Sequence, residues 1–411
     1  MDQLYLDWAS TAPMDPGIID LFNTAQSEYF GNPSSLHELG RTSRRRLEKA
    51  RSDLASCLGV QADRLYFSSG GTESNAIVLL SLLRKRRKGT VLISSIEHPS
   101  VYEYIPLLQE AGYEVKVIPA DESGIIRPEA VRALLDEKTR LVTVMTINNE
   151  TGRIQPIDEI ARELRYFEKR HEMRLHFHTD AVQAFGKIPL PLKRLGVDSA
   201  SFSSHKLSGP KGVGLLYLSG SIEAALAGGG QESGLRPGTE NVPSLIAFAE
   251  AALRRHGDLR ESFERVKNCR EILLSAIEGI PGSKVLPGRA ADKEDKAACS
   301  SPAAFDQALA ENRFPGAGSS PYILTFSVSP LPGEVAVRVL SDMGFAVSTG
   351  SACSSNRRKK RSRVLSACAV SPEDALASIR VSFGWNTKEQ EVKRFCSVLE
   401  QKIPGLMNTV R

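Results

Sequence analysis

Short apolar segments recur along the first two-thirds of the chain, and stretches with helical spacing separate them. Leu65–Ser68, Val91–Ser94, Val115–Ile118, Leu141–Met145, Leu175–His178, Ser199–Ser203 and Val213–Leu218 read as buried strands. Glu129–Leu135 and Ile157–Glu168 carry the 3.6-residue period between them. A strand covered on both faces shows a continuous apolar run, and it reaches a parallel neighbour only through a crossover. The pattern therefore predicts an α/β fold, a mostly parallel mixed sheet flanked by helices. A charged helical stretch from 245 to 280 bridges to a second region. Residues 287–321 are rich in Gly, Ala, Ser and Pro and read as an irregular insertion. Strands at Tyr322–Val328, Phe345–Val347 and Ile379–Ser382, a helix near Gly333–Met343 and a last helix over Lys388–Lys402 predict a smaller α+β domain. The expected division is a large domain over 16–254 and a small one from 1–15 with 255–411.

Several function classes fall away on this sequence. Met1–Asp7 has neither a basic region nor an apolar core, and the apolar run Ala76–Leu83 is too short to span a bilayer, so a cytoplasmic, membrane-free protein is expected. Six cysteines are scattered without a CxxC pair, which argues against a disulfide framework or a structural zinc site. His176 and His178 share a strand face, but no nearby Cys or acidic partner completes a ligand set, and no metal is expected there. Net charge is +5, with basic clusters at Arg44–Arg46, Arg84–Lys88 and Arg357–Arg361. The second closes an apolar helix, where cations complement the helix dipole.

Chemistry concentrates at strand ends. Ser203-Ser204-His205-Lys206 leads into the glycine-punctuated run Leu207–Gly214, and Asp180 sits within Phe177–Gln183. A lysine after one strand and an aspartate at the end of another meet the needs of pyridoxal phosphate. The amine condenses with its aldehyde, and the carboxylate pairs with the pyridinium nitrogen. Ser69–Asn75 joins a strand to a helix; the glycines at Gly70 and Gly71 admit a phosphate close to free backbone N–H groups, and Thr72 adds a hydroxyl. Taken alone it could be an ordinary capped turn. Ser203 and His205 would complete the phosphate cup.

His98, before Pro99, could stack on a flat ring or simply open a helix. Asn149 follows a strand at the edge where α/β sheets bind ligands. Cys353 lies in the small-residue loop Ser348–Ser355, where an accessible thiol beside basic residues can act as a nucleophile. Arg380, in the strand Ser378–Ser382, suits either bidentate capture of an amino-acid carboxylate or a structural ion pair.

Ordered motifs carry a resemblance from about Tyr5 to Gln401. They are Tyr5-Leu6-Asp7, Gly31–Ser34, Gly71–Ser74, Glu97-His98, Asn148–Glu150, Asp180–Gln183, Ser203–Lys206 with Gly209–Gly212, Gly228–Glu232, Arg236–Thr239, Gly350–Cys353 and Ser378–Arg380. The chain resembles the cysteine desulfurases of the class V aminotransferase group, PLP fold-type I. Its Gly-Ser-Ala-Cys loop is similar to the nitrogen-fixation and iron–sulfur-cluster branch. The resemblance implies that Lys206 holds the cofactor, pyridoxal 5'-phosphate. Asp180 would pair with the pyridinium, His98 stack on the ring and Gln183 contact the ring hydroxyl. Gly71, Thr72, Ser203 and His205 would hold the phosphate, and Thr239 would reach the phosphate of a neighbouring subunit, hence a homodimer. Asn149 and Arg380 would grip the substrate carboxylate. The implied reaction takes sulfur from L-cysteine, releases L-alanine and leaves a persulfide on Cys353. That sulfur would pass to an acceptor protein, an iron–sulfur scaffold or a tRNA-thiolation enzyme.

Three departures qualify the match. The 287–321 stretch is longer than the family's usual connection. Asn356–Arg363 is strongly basic and could dock an acidic acceptor or an RNA. The sequence stops at Arg411 without the extension that housekeeping bacterial members use to meet their scaffold, which leaves partner identity open. Selenocysteine lyase, another class V enzyme, or a partner- or RNA-binding scaffold on the same fold also stay open. The Cys353 loop speaks against simple transamination.

Overall fold

The computed structural model describes residues 3–288, 302–311, 313–350 and 362–410. Its largest sheet has seven strands, in the spatial order Leu65–Ser68, Gly214–Leu218, Ser199–Ser203, His176–Asp180, Thr139–Thr143, Thr90–Ser94 and Glu114–Ile118. Gly214–Leu218 pairs antiparallel with both neighbours, and every other pairing in the sheet is parallel. The expected mixed, mostly parallel sheet is present. Its central strands are buried along their whole length, which suits the apolar Val91–Ile93 and Leu215–Leu218, while Ser199–Ser203 carries three buried serines. Strand boundaries moved by one or two residues from the sequence reading. The strand ending at Asp180 runs through two polar residues that apolar character could not include.

Turns at the carboxyl ends of these strands are set by local chemistry. Gly70, with φ +154°, lets the chain turn from Ser68 straight into helix Gly71–Ser81. His98 caps the short helix Pro99–Tyr102, accepting from the Ser100 N–H at 3.2 Å, and proline fills the first turn, where its missing donor costs nothing. Helix Val242–Gly257 packs against helices Pro16–Glu28 and Glu38–Leu58.

A second sheet has four antiparallel strands, Lys284–Leu286, Ile323–Ser327, Ser378–Ser382 and Ser348–Thr349. Leu4–Tyr5 pairs parallel with Phe345–Ala346, and Asp7 forms a bridge to Ser382, so the first residues of the chain lie beside its last strands. The expected helical stretch over 245–280 is two helices, Val242–Gly257 and Leu259–Gly279, and the terminal helix extends over Glu389–Val410. The reading of 287–321 as irregular needs correction where it is described. Pro302–Ala310 is a helix whose Phe305 stacks on Phe263 at 3.8 Å between ring centroids. A single helical turn pair in an Ala/Ser/Pro-rich stretch leaves too short a period to detect by spacing. No described helix is long and apolar enough to cross a membrane.

Candidate active site

The carboxyl ends of five parallel strands open on a cavity of about 350 Å³, lined in part by Gly71, Thr72, His98, Asn149, Asp180, Gln183, Ser203, His205, Lys206 and Arg380. Ten residues singled out in the sequence thus share one crevice, at the strand edge where open α/β sheets place ligands. Thr239 is exposed and outside this lining. Cys353 lies outside the described residues.

Lys206 Nζ donates to the Ala9 carbonyl at 2.5 Å and the Ser10 carbonyl at 2.6 Å. Asp180 is held on both oxygens: Asn75 Nδ2 donates to Oδ2 at 2.8 Å and the Val182 N–H to Oδ1 at 3.0 Å. Asn75 also donates to Ser100 Oγ at 2.9 Å, and Ser100 Oγ lies 2.8 Å from His98 Nδ1. Because Nδ1 accepts from the Ser100 N–H, the neutral His98 ring carries its proton on Nε2. Burial holds His98 below its ordinary pKa against the opposing pull of Asp180, which keeps the ring neutral near pH 7. His205, bonded through Nδ1 to Thr11 Oγ1 at 3.1 Å, is pushed down to about 4 by burial and by Lys206.

Arg380 is 1% exposed and forms the structural ion pair, with Asp7, while also lining the cavity. It lines the cavity, and its Nη2 donates to Asp7 Oδ1 at 2.9 Å and Ser10 Oγ at 2.7 Å while Nη1 donates to the Asn149 carbonyl at 3.0 Å. A single side chain therefore ties the first residues of the chain to the loop that carries Asn149. Arg380→Met is expected to lower stability by about 2–4 kcal/mol, because it strands a partly buried carboxylate and a buried carbonyl. A urea titration with an unchanged midpoint would show that these bonds are dispensable.

Four contributors escaped the sequence reading. Ala9 and Ser10 act through backbone carbonyls, which no residue type announces. Asn75 is a buried amide on an otherwise apolar helix face, and that polarity was the available signal. His178, pushed down to about 3 by burial, holds Asn75 Oδ1 through Nε2 at 2.9 Å and so fixes which end of that amide faces Asp180. His176 and His178 both bond Ser199 Oγ.

The segment after the Cys353 loop is anchored from below. Ser362 Oγ donates to Glu150 Oε2 at 2.5 Å and caps helix Arg363–Ala367. Arg363, expected within a basic docking flank, instead donates to the carbonyls of Ser95 and Glu97 and lies 3.7 Å over the Tyr102 ring. Burial raises Glu150 to about 7 and Glu97 to about 8.

This donor set fits pyridoxal phosphate. A Cβ on Gly71 would stand 2.5 Å from Val182 Cγ2, so the turn has little room for a side chain, and the bare backbone suits close approach of a phosphate. Arg380 Nε is buried without a partner among the described residues, a donor still unspent beside the cavity.

The aminotransferase class-V family model matches residues 4–312. The cysteine desulfurase IscS of Dictyoglomus turgidum is 34% identical over 98% of this chain and 95% of its own length. A human cysteine desulfurase is 34% identical over 95% of this chain and 79% of its own. A solved NifS-like protein superposes with a TM-score of 0.82 at 31% identity, covering 99% of this chain and all of that one. Sequence match, fold and site geometry agree, and the chain belongs to the class-V aminotransferase family.

Proposed function

We propose that the protein is a pyridoxal-phosphate-dependent cysteine desulfurase. The observation that carries this reading is the convergence of Lys206, Asp180, His98, Asn149 and Arg380 on one cavity. Full-length similarity to proteins named cysteine desulfurase supports the choice of substrate. Bound here, the cofactor would supply an electron sink for charge that develops on the substrate carbon skeleton.

The chain's own residues do the rest. Asp180, clamped by Asn75 and Val182, presents a carboxylate to the ring nitrogen. Gly71, Thr72, Ser203 and His205 surround the phosphate position, and neutral His98 supplies a flat face. Asn149 and Arg380 hold the substrate carboxylate. Lys206 Nζ, released from its carbonyl acceptors, moves the α-proton. The Cys353 sulfur then bonds to the substrate sulfur while the substrate C–S bond breaks. The electron pair of that bond passes to carbon, which takes a proton and leaves as L-alanine. The persulfide on Cys353 hands its outer sulfur to an acceptor protein of an iron–sulfur or tRNA-thiolation route.

A homodimer, with Thr239 serving the partner's phosphate, is part of the same reading. Exposed Phe30, Leu36 and Leu39 and the exposed Thr239 support it. Incubation with L-cysteine and a thiol reductant is expected to yield alanine and sulfide in a one-to-one ratio. Selenide from selenocysteine without any turnover of cysteine would make the protein a selenocysteine lyase instead.

A further inference from the structure

Behind the cavity, Lys187 is buried and takes no part in the chemistry derived above. It sits in the otherwise apolar segment Ala184–Leu190, just past the turn at Gly186. Its Nζ donates to Gln183 Oε1 at 2.7 Å, and the other end of that amide, Nε2, donates to the Ala9 carbonyl at 2.9 Å. Ala9 O is also an acceptor of Lys206 Nζ. The chain of contacts therefore runs from Lys187 through Gln183 and Ala9 to the lysine that holds the cofactor.

A primary amide can present either its oxygen or its nitrogen, and the two ends are nearly equal in shape. A lysine ammonium has only donors, so it accepts one orientation of its partner. With Oε1 committed to Lys187, Gln183 can face the cavity only as a donor. Such an amide favours an anionic oxygen on whatever lies beside it. We propose that Lys187 is a positioning residue that locks Gln183 as a hydrogen-bond donor toward the ring oxygen of bound pyridoxal phosphate.

The groups facing Lys187 sharpen the expectation. Lys206 and Arg380 oppose its charge, His205 is depressed by it in turn, and the Tyr322 ring lies 5.8 Å away. Burial first, then Lys206 and Arg380, lower Lys187 to about 7, so an entering anion would favour its charged form. A donor held toward the ring oxygen on this side disfavours the proton on the nitrogen that would join Lys206 to the cofactor. Removing Lys187 should therefore make that proton harder to lose.

This inference rests on the cofactor reading above, and its test is spectroscopic. In the holoenzyme, the pH midpoint of the visible cofactor band is expected to rise by about one unit in Lys187→Met. Gln183→Leu should raise it similarly, and the double variant should show no further shift, because both residues act through one bond. Lys187→Arg, which keeps the charge and the donors, should stay within about 0.3 unit of the native midpoint. If Lys187→Met does not fold, Lys187→Gln replaces it in the same titration. A midpoint unmoved in a variant that binds cofactor overturns the proposal alone, as does a shift fully additive with Gln183→Leu. Native protein that takes up no pyridoxal phosphate overturns the cofactor reading and this proposal with it.

Discussion

Lys206→Ala is expected to reduce alanine release from L-cysteine by at least ~10³-fold and to abolish the covalently held yellow chromophore. The substitution removes the group that both attaches the cofactor and moves the α-proton, so binding and chemistry fail together. It should not unfold the protein. Nζ bonds the carbonyls of Ala9 and Ser10, and Ala9 O keeps its bond from Gln183 Nε2. Loss of hydrogen bonds at a site that water can reach costs about 1 kcal/mol. A folded but colourless and inactive variant is the predicted product. Retained colour after extensive dialysis, with turnover within tenfold of the native rate, would remove Lys206 from the mechanism.

Cys353→Ser should lose turnover by a similar factor but keep both the chromophore and the fold. A hydroxyl cannot accept a sulfane sulfur, since its oxygen is a poor nucleophile near neutral pH and forms no persulfide. Cysteine should still bind and perturb the absorption spectrum, because Asn149, Arg380 and Lys206 remain. The two variants therefore separate by colour: the lysine change erases it and the cysteine change preserves it. Alanine released at the native rate by Cys353→Ser would mean that sulfur leaves without a protein carrier. Mass spectrometry after one turnover offers a direct check, a gain of one sulfur on the peptide containing Cys353.

Much of this site was legible because strand-end chemistry is local. A glycine turn, a lysine after a strand and an aspartate at a strand end each need only a few neighbouring residues to be read. The parallel sheet was legible for the same reason, through apolar runs such as Val91–Ser94 and Leu141–Met145. What stayed hidden depends on contacts distant in sequence. The carbonyls of Ala9 and Ser10 matter because the first residues are held beside Lys206 by pairing with late strands and by bonds to Gln183 and His205. Lys187 is a lone charge in an apolar run that the sequence reading passed over, and its partner could not be named without the fold. Arg363 read as one more cation of a basic segment able to dock an acceptor, and its carbonyl acceptors and the Tyr102 ring place it against the fold instead. Helix Pro302–Ala310 escaped because its composition imitates a loop.

The union of the two chain ends bears on how the protein is made. Ala9 N–H bonds Ser382 Oγ across 373 positions, and Arg380 reaches back to Asp7 and Ser10. At about 5–20 residues per second, a ribosome needs roughly 20–75 s to travel that distance. During this interval the seven-stranded sheet can form, but the cavity lacks the wall that Arg380 supplies. The cavity therefore gains its Arg380 wall only after the carboxyl-terminal strands have been made.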